Sequence, residues 1–396
     1  MAVRARCIGI LTSGGDCPGL NAAIRGVAKP AITDFHIEVI GIEKGFRGLV
    51  ENHSRVLHPH DVSGILSLGG TILGTSREKP HKMPLPSGES VDLTARAVET
   101  YSRLGLDCLV CLGGNGTHKV AYNLMKQGLN VIGLPKTIDN DLVATDISFG
   151  HDSAVTTAAE AIDRLYSTAE AHLRVMVIEL MGHNAGWLTL AAGVAGGADV
   201  ILIPEVPYDI ESICQHLIER RRRGKWFSIV AVAEGARPKR SLQPQAEGAS
   251  APHTLALSDG KPKKEKKDKK DKKHKKKKDR QAPSGALMLD DLGDGRASSQ
   301  VAKAVSRRLG METRVTVLGH LQRGGIPTPF DRILATRFGT HAAEMLAEGV
   351  YNQMVCLRGA DVSSVPLEEV AGKTKLVPHD HPLIRAARRV GTNFGD

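Results

Sequence analysis

Short runs that are apolar at nearly every position recur along the first 235 residues and alternate with longer stretches of helical period. The apolar runs at 8–11, 39–42, 109–112, 131–134, 175–180, 200–203 and 229–233 predict strands, and 315–318 predicts another. Being apolar nearly throughout rather than at alternate positions, with Glu179 and Thr316 the exceptions, they fit a parallel sheet covered on both faces. The stretches at 20–31, 94–104, 119–126, 154–171, 185–195, 210–223, 299–309 and 329–347 predict helices. Strand and helix in alternation give an α/β fold with right-handed crossovers. The pattern fails from about 240 to 296, a region rich in Pro, Ala, Ser, Gly and Lys. So long an aperiodic stretch inside a compact domain reads as a disordered insertion.

The length of 396 residues suggests about two domains. No apolar run reaches the ~20 residues that span a bilayer. The first residues carry too short an apolar stretch for a signal peptide, so a cytoplasmic location is expected. The net charge of +10 resembles a nucleic-acid signal until it is located. Residues 261–280 hold thirteen Lys and one Arg against four acids, an excess equal to that of the whole chain. The rest of the chain is therefore near neutral, and polyanion contact is expected only through 261–280. Cys108 and Cys111 form a C-x-x-C inside an apolar run, which reads as buried thiols rather than a redox or zinc pair.

The richest chemistry lies at 134–141 (LPKTIDND), just after an apolar run. This places Lys136, Thr137, Asp139 and Asp141 on a loop at the carboxyl end of a strand, where open α/β sheets bind ligands. A carboxylate there can take a proton from a hydroxyl, and a neighbouring cation can steady a phosphate. The segment 8–21 reads as strand, glycine-rich turn and helix start. Gly14 and Gly15 let backbone approach a ligand, and the helix N-terminus suits polyphosphate. A second small-residue turn, Gly113, Gly114, Asn115, Gly116 and Thr117, follows another strand and suits phosphate or a nucleotide. Arg77 is within reach of a transferred phosphoryl group. Arg174 precedes a strand, Met181, Gly182 and His183 end it, Glu234 ends another, and Arg314 precedes a third, followed by His320 and Arg323. Arginines and a histidine around strand ends read as a sugar-phosphate cradle, with Glu234 on hydroxyls.

The segments 12–25 (TSGGDCPGLNAAIR), 113–117 (GGNGT), 135–141 (PKTIDND), 160–164 (EAIDR), 181–182, 204–205 and 313–325 (TRVTVLGHLQRGG) together resemble the 6-phosphofructokinases. The resemblance covers nearly the whole chain except about 240–296. It implies two Rossmann-like α/β/α sandwich domains with mostly parallel sheets and the active site in the cleft between them. Residues 1–150 with about 322–372 would form the phosphoryl-donor domain, and 151–321 with about 373–396 the fructose 6-phosphate domain. The implied reaction is transfer of a phosphoryl group from ATP, with Mg²⁺, to the 1-hydroxyl of fructose 6-phosphate, the committed step of glycolysis.

By the same resemblance Asp139 is the general base, with Thr137 and Asp141 beside it at the substrate. Met181, Gly182, Glu234, His320 and Arg323 match fructose 6-phosphate contacts, and His183 stands at another such position. Arg174 and Arg314 match residues lent across a subunit interface, which implies a homo-oligomer, dimer or tetramer. Gly14, Gly15, Arg77 and 113–117 match the donor pocket. Asn115 stands where the family usually has a metal-holding aspartate, so it keeps an oxygen ligand and loses a charge. His183 stands where arginine is common. Gly116 leaves open the space that an α-phosphate needs and favours ATP, whereas Lys136 is usual in enzymes that use pyrophosphate; the steric argument carries more weight. Two other readings compete: a pyrophosphate-dependent fructose 6-phosphate 1-phosphotransferase, and a catalytically weak relative that binds polyanions through 261–280.

Overall fold

The computed structural model describes residues 4–239 and 295–396. The expected insertion lies almost wholly outside the described residues, as does the Lys-rich run within it. Strands β1 (Cys7–Thr12), β2 (Glu38–Ile42) and β3 (Ser54–Val56) come first, then a small hairpin of β4 (Met83–Pro84) and β5 (Ser90–Val91). β6 (Cys108–Gly113) and β7 (Val131–Pro135) follow, then β8 (Val175–Leu180), β9 (Val200–Leu202), β10 (Ser228–Ala233) and β11 (Thr313–Val317). β12 (Gln353–Arg358) and β13 (Asp361–Pro366) are the last.

Apart from the β4–β5 hairpin, they build two sheets. One has the order β13-β12-β7-β6-β1-β2-β3, the other β11-β8-β10-β9. All four strands of the second are parallel. The first is parallel except at its edges, where β3 and β13 run antiparallel to their neighbours. Successive strand residues enter opposite faces, as the period of two demands. Val110 and Leu112 join one core of the first sheet and Leu109 and Cys111 the other. Val175 and Val177 join one core of the second sheet, Met176 and Ile178 the other. Each sheet is therefore the middle layer of an α/β/α sandwich, as the largely apolar strands imply. All six cysteines are free, and Cys108 and Cys111 are fully buried in β6.

The chain leaves the first sheet after β7 and enters the second through helix His151–His172. It returns through the 3₁₀ turn Gly319–Arg323 and helix Pro329–Glu348. The two crossings are stitched together. The buried Asp331 carboxylate accepts from the Ser153 N–H at 2.8 Å and hydroxyl at 2.6 Å. Helix Pro329–Glu348 then packs on helix Leu20–Thr33 through a glycine contact. A Cβ on Gly339 would stand 2.7 Å from Gly26 backbone carbon, so only bare backbone allows this approach.

Several expectations shift. The helix expected at 119–126 begins four residues earlier, at Asn115, because Gly114 caps it in an extended conformation. Arg314 lies inside β11 rather than before a strand. The hairpin β12–β13 was not expected, although 354–357 in β12 is apolar throughout.

Candidate active site

From β1 the chain passes to β2 on one side and later to β6 on the other. Crossovers thus leave in opposite directions at β1 and β6, and open sheets bind ligands in the crevice at such a switch point. Both glycine segments of the sequence open onto it. After β1, Gly14 adopts φ 88° and donates its N–H to Ser76 O at 2.8 Å. A Cβ on Gly15 would stand 2.6 Å from Arg323 Nη1, so glycine there admits the guanidinium against the backbone. After β6, Asn115, Gly116 and Thr117 form the first turn of helix Asn115–Met125, a correction to their reading as a loop. A helix N-terminus offers unpaired N–H groups and positive dipole to an anion. Gly116 is exposed, and the nearest atom to a Cβ there is Lys79 Cε at 4.0 Å.

The loop after β7 completes the cleft. Lys136 is 3 % exposed, and its ammonium donates to the Gly15 carbonyl. Burial pulls the Lys136 pKa below the usual range. The Asp139 N–H donates to Thr137 Oγ1 at 3.1 Å. Behind it, the Ser148 hydroxyl donates to the Thr137 carbonyl at 2.8 Å, and His151 Nδ1 meets the Ile138 carbonyl at 2.7 Å. The octet is therefore a built loop and not a free surface turn. Burial, then the Asp141 charge, raises the Asp139 pKa to about 6, with Arg323 and Lys136 opposing. Burial also raises Asp141. Two half-buried carboxylates two residues apart, with raised pKa values and cations nearby, suit general acid–base chemistry.

The cleft gathers Gly14, Gly15, Arg77, Gly114, Asn115, Gly116, Thr117, Lys136, Thr137, Asp139, Asp141 and Arg323. Gly113 lies just behind, as the last residue of β6. Met181, Gly182 and His183 follow β8, and Glu234 follows β10, at the carboxyl edge of the second sheet. Glu234 is close enough to raise Asp139, and the Met181 N–H donates to Gln322 Oε1 at 3.2 Å. His183, Glu234 and His320 are exposed.

Arg174 and Arg314 are not brought to this cleft. They sit at the opposite, amino edge of the second sheet, where both pair with Glu312, at 3.4 and 2.7 Å. A six-residue strand separates the two edges by about 20 Å. One chain therefore does not assemble the single cradle that the strand-end arginines suggested. Lys79 and Phe46 also line the cleft and were missed. Neither stands in a motif; only the proximity of Lys79 to Arg77 hinted at a role.

Two buried polar atoms in the cleft have no hydrogen-bond partner among the described residues: Asn115 Oδ1 and Arg323 Nε. Buried polar groups are normally satisfied. An orphaned acceptor and an orphaned cationic donor on one cleft fit a bound cation and a bound anion. No cluster of three or more metal-binding acidic, His or Cys side chains occurs among the described residues. A hard cation here would thus take most of its oxygens from phosphate and water, as Mg²⁺ does in phosphoryl-transfer sites.

A two-sheet α/β fold whose switch-point cleft offers glycine turns, a buried Lys136, a half-buried Arg323 and the Asp139 carboxylate suits phosphoryl transfer. The phosphofructokinase family's sequence profile matches residues 7–346, and the chain belongs to that family. It is 56 % identical to an ATP-dependent 6-phosphofructokinase of Spirochaeta thermophila over 99 % of this chain and 98 % of the relative. It is 49 % identical to an ATP-dependent 6-phosphofructokinase of Propionibacterium freudenreichii over 98 % of this chain and 99 % of the relative. Among solved structures, Pichia pastoris phosphofructokinase in the T-state superposes with a TM-score of 0.72 at 29 % identity, over 93 % of this chain and 36 % of that one. A pyrophosphate-dependent phosphofructokinase from Marinobacter aquaeolei shares the fold at 21 % identity and TM-score 0.72, over 98 % of this chain and 88 % of that one.

Proposed function

We propose that the chain transfers a phosphoryl group from ATP to the 1-hydroxyl of fructose 6-phosphate, with Mg²⁺, in the cytoplasm. The observation that carries the reading is the cleft itself: Asp139, Lys136, Arg323 and the helix N-terminus at Asn115 converge at the switch point. Full-length relatives named for ATP support the donor.

Phosphoryl transfer needs positioning and charge neutralisation more than covalent chemistry. Asp139 accepts the hydroxyl proton; with a pKa of about 6 it is mostly ionised near neutrality yet basic enough to take that proton. Lys136 and Arg323 meet charge on the transferring group, in a site where burial strengthens each interaction. Gly116 leaves room beside the donor, since only Lys79 approaches its Cβ position. Asn115 Oδ1 would supply one oxygen to Mg²⁺, which would neutralise phosphate charge. The half built on the first sheet holds the donor, and the half built on the second holds the sugar phosphate.

Arg174 and Arg314 serve a neighbouring copy of the chain, because in their own chain they face away from the cleft. The working unit in this reading is a homo-oligomer with shared sites. The test is initial rates with fructose 6-phosphate and Mg²⁺, with ATP and pyrophosphate compared and fructose 1,6-bisphosphate detected. Turnover with ATP is expected. Turnover with pyrophosphate alone would overturn the donor assignment, and none with either would overturn the activity.

A further inference from the structure

Lys375 lies 235 residues from Asn140 in the chain, yet its ammonium sits on the loop that carries the base. It donates to Asn140 Oδ1 at 3.2 Å, the Thr145 carbonyl at 2.9 Å and the Asp146 carbonyl at 3.0 Å. An ammonium has three donors, so all are used. The Lys375 backbone N–H also donates to the Asp141 carbonyl at 2.7 Å. The grip thus takes Asn140 by its side chain and Asp141 by its main chain. Asn140 adopts φ 49°, a left-handed conformation that L-residues enter at a cost unless their surroundings hold them there. Its side-chain oxygen also accepts from the Ser148 N–H at 3.1 Å, so the hinge between Asp139 and Asp141 is clamped from two sides.

The residues around Lys375 are tied elsewhere. Thr374 Oγ1 accepts from Asn115 Nδ2 at 3.1 Å. The Lys375 carbonyl accepts from Trp187 Nε1 at 2.8 Å. The Val377 N–H donates to Glu205 Oε1 at 2.9 Å, and the same carboxylate accepts from the Gly186 N–H. Residues 374–377 therefore strap the donor turn, the base loop and a helix of the second sheet together. The ammonium is partly desolvated, and its three acceptors are neutral oxygens, with the Asp146 and Asp141 charges nearby offsetting part of that cost.

We propose that Lys375 is a positioning residue for the phosphoryl-transfer site, fixing Asn140 so that Asp139 and Asp141 keep their places in the cleft. The inference rests on the activity proposed above. Through Thr374 the same strap registers the base loop against Asn115.

The test assays the full chain, Lys375→Met, Asn140→Gly and the double variant with ATP, fructose 6-phosphate and Mg²⁺. Lys375→Met keeps the apolar stem and removes three donors. Asn140→Gly keeps the left-handed conformation and removes the acceptor. Displacing a reacting group by about 1 Å costs on the order of 10²-fold. Each single variant is therefore expected to lose roughly 10- to 100-fold in kcat, with both KM values within about threefold. The double variant is expected to fall well short of the product of the single losses, because both changes remove the shared Lys375–Asn140 contact. An unchanged kcat, losses that multiply in the double variant, or a kcat loss accompanied by weakened binding of both substrates would overturn the proposal. If Lys375→Met does not fold, Asn140→Gly alone decides: full kcat overturns the role, and a selective kcat loss supports it. An inactive unaltered chain would instead sink the proposed activity.

Discussion

Asp139→Asn separates the chemistry of the site from its stability. Burial and Asp141 raise the Asp139 pKa from 3.8 to about 6. A carboxyl whose folded-state pKa lies above its unfolded value stabilises the fold below the unfolded pKa. That contribution is lost as pH rises through the folded value. Near pH 7.5 the group is ionised in both states, and the folded chain carries the whole penalty of a buried charge. At about 1.4 kcal/mol per pKa unit this is about 3 kcal/mol. At pH 4.5 it shrinks to about 1 kcal/mol, because the folded-state carboxyl is then neutral. Asparagine never charges and is nearly the same size. The variant should therefore be more stable than the parent by up to about 3 kcal/mol near pH 7.5, with most of the gain gone near pH 4.5. Its kcat should fall by roughly 10²- to 10⁴-fold, as expected when a general base is removed. Thermal midpoints at the two pH values, together with initial rates, make the measurement. A midpoint that falls near pH 7.5, or a gain that persists undiminished near pH 4.5, would refute the argument that burial strains this carboxylate.

Other predictions follow from the same geometry. The acid limb of kcat/KM should bend near pH 6 as Asp139 protonates, and a limb bending near pH 4 in a pH–rate profile would mean that another group limits the rate. Gly116→Asp should fold normally, since only Lys79 approaches the new side chain, and should lose roughly 100-fold or more in kcat/KM for ATP; an unchanged rate would sink the steric account of donor choice. Mixing Asp139→Asn with Arg314→Ala subunits should restore activity that neither homo-oligomer has, and no recovery after subunit exchange would argue against shared sites. Deleting 261–280 removes ten net positive charges and should abolish salt-sensitive retention on RNA while leaving kinase rates intact.

The fold class was legible in the sequence because its strands are buried on both faces. A strand covered by helices above and below has no polar side, so β1, β6, β7 and β10 carry unbroken apolar runs, and β8 is interrupted only by the buried Glu179. The edge strand β13 was not legible, because Asp361–Pro366 is half-solvated and mixes polar with apolar residues, whereas its buried neighbour β12 carries the apolar run 354–357 and was overlooked. The glycine turns and the 134–141 octet were legible as well. Close backbone approach to a ligand requires glycine, and a base beside a cation requires those side chains in a short span. The start of the helix at Asn115 was obscured because glycine is a poor helix former, and only the cap at Gly114 shows where the helix begins.

What no local pattern carries is which distant segments meet and at which end of a strand. Arg174 and Arg314 read as companions of Glu234 because all flank strands. Only the direction of β8, β10 and β11 puts the arginines at one edge and Glu234 at the other. Lys375 lies in an unremarkable stretch near the end of the chain, and only the packing of residues 374–377 across both halves brings its ammonium to Asn140. By itself the sequence determined the buried central strands and the glycine turns and pointed to candidate reacting groups, because each depends on neighbours a few residues away. The tertiary structure decided burial, and with it the raised pKa of Asp139, the orphaned atoms at Asn115 and Arg323 and the strap at Lys375. Those depend on surfaces brought together from opposite ends of the chain.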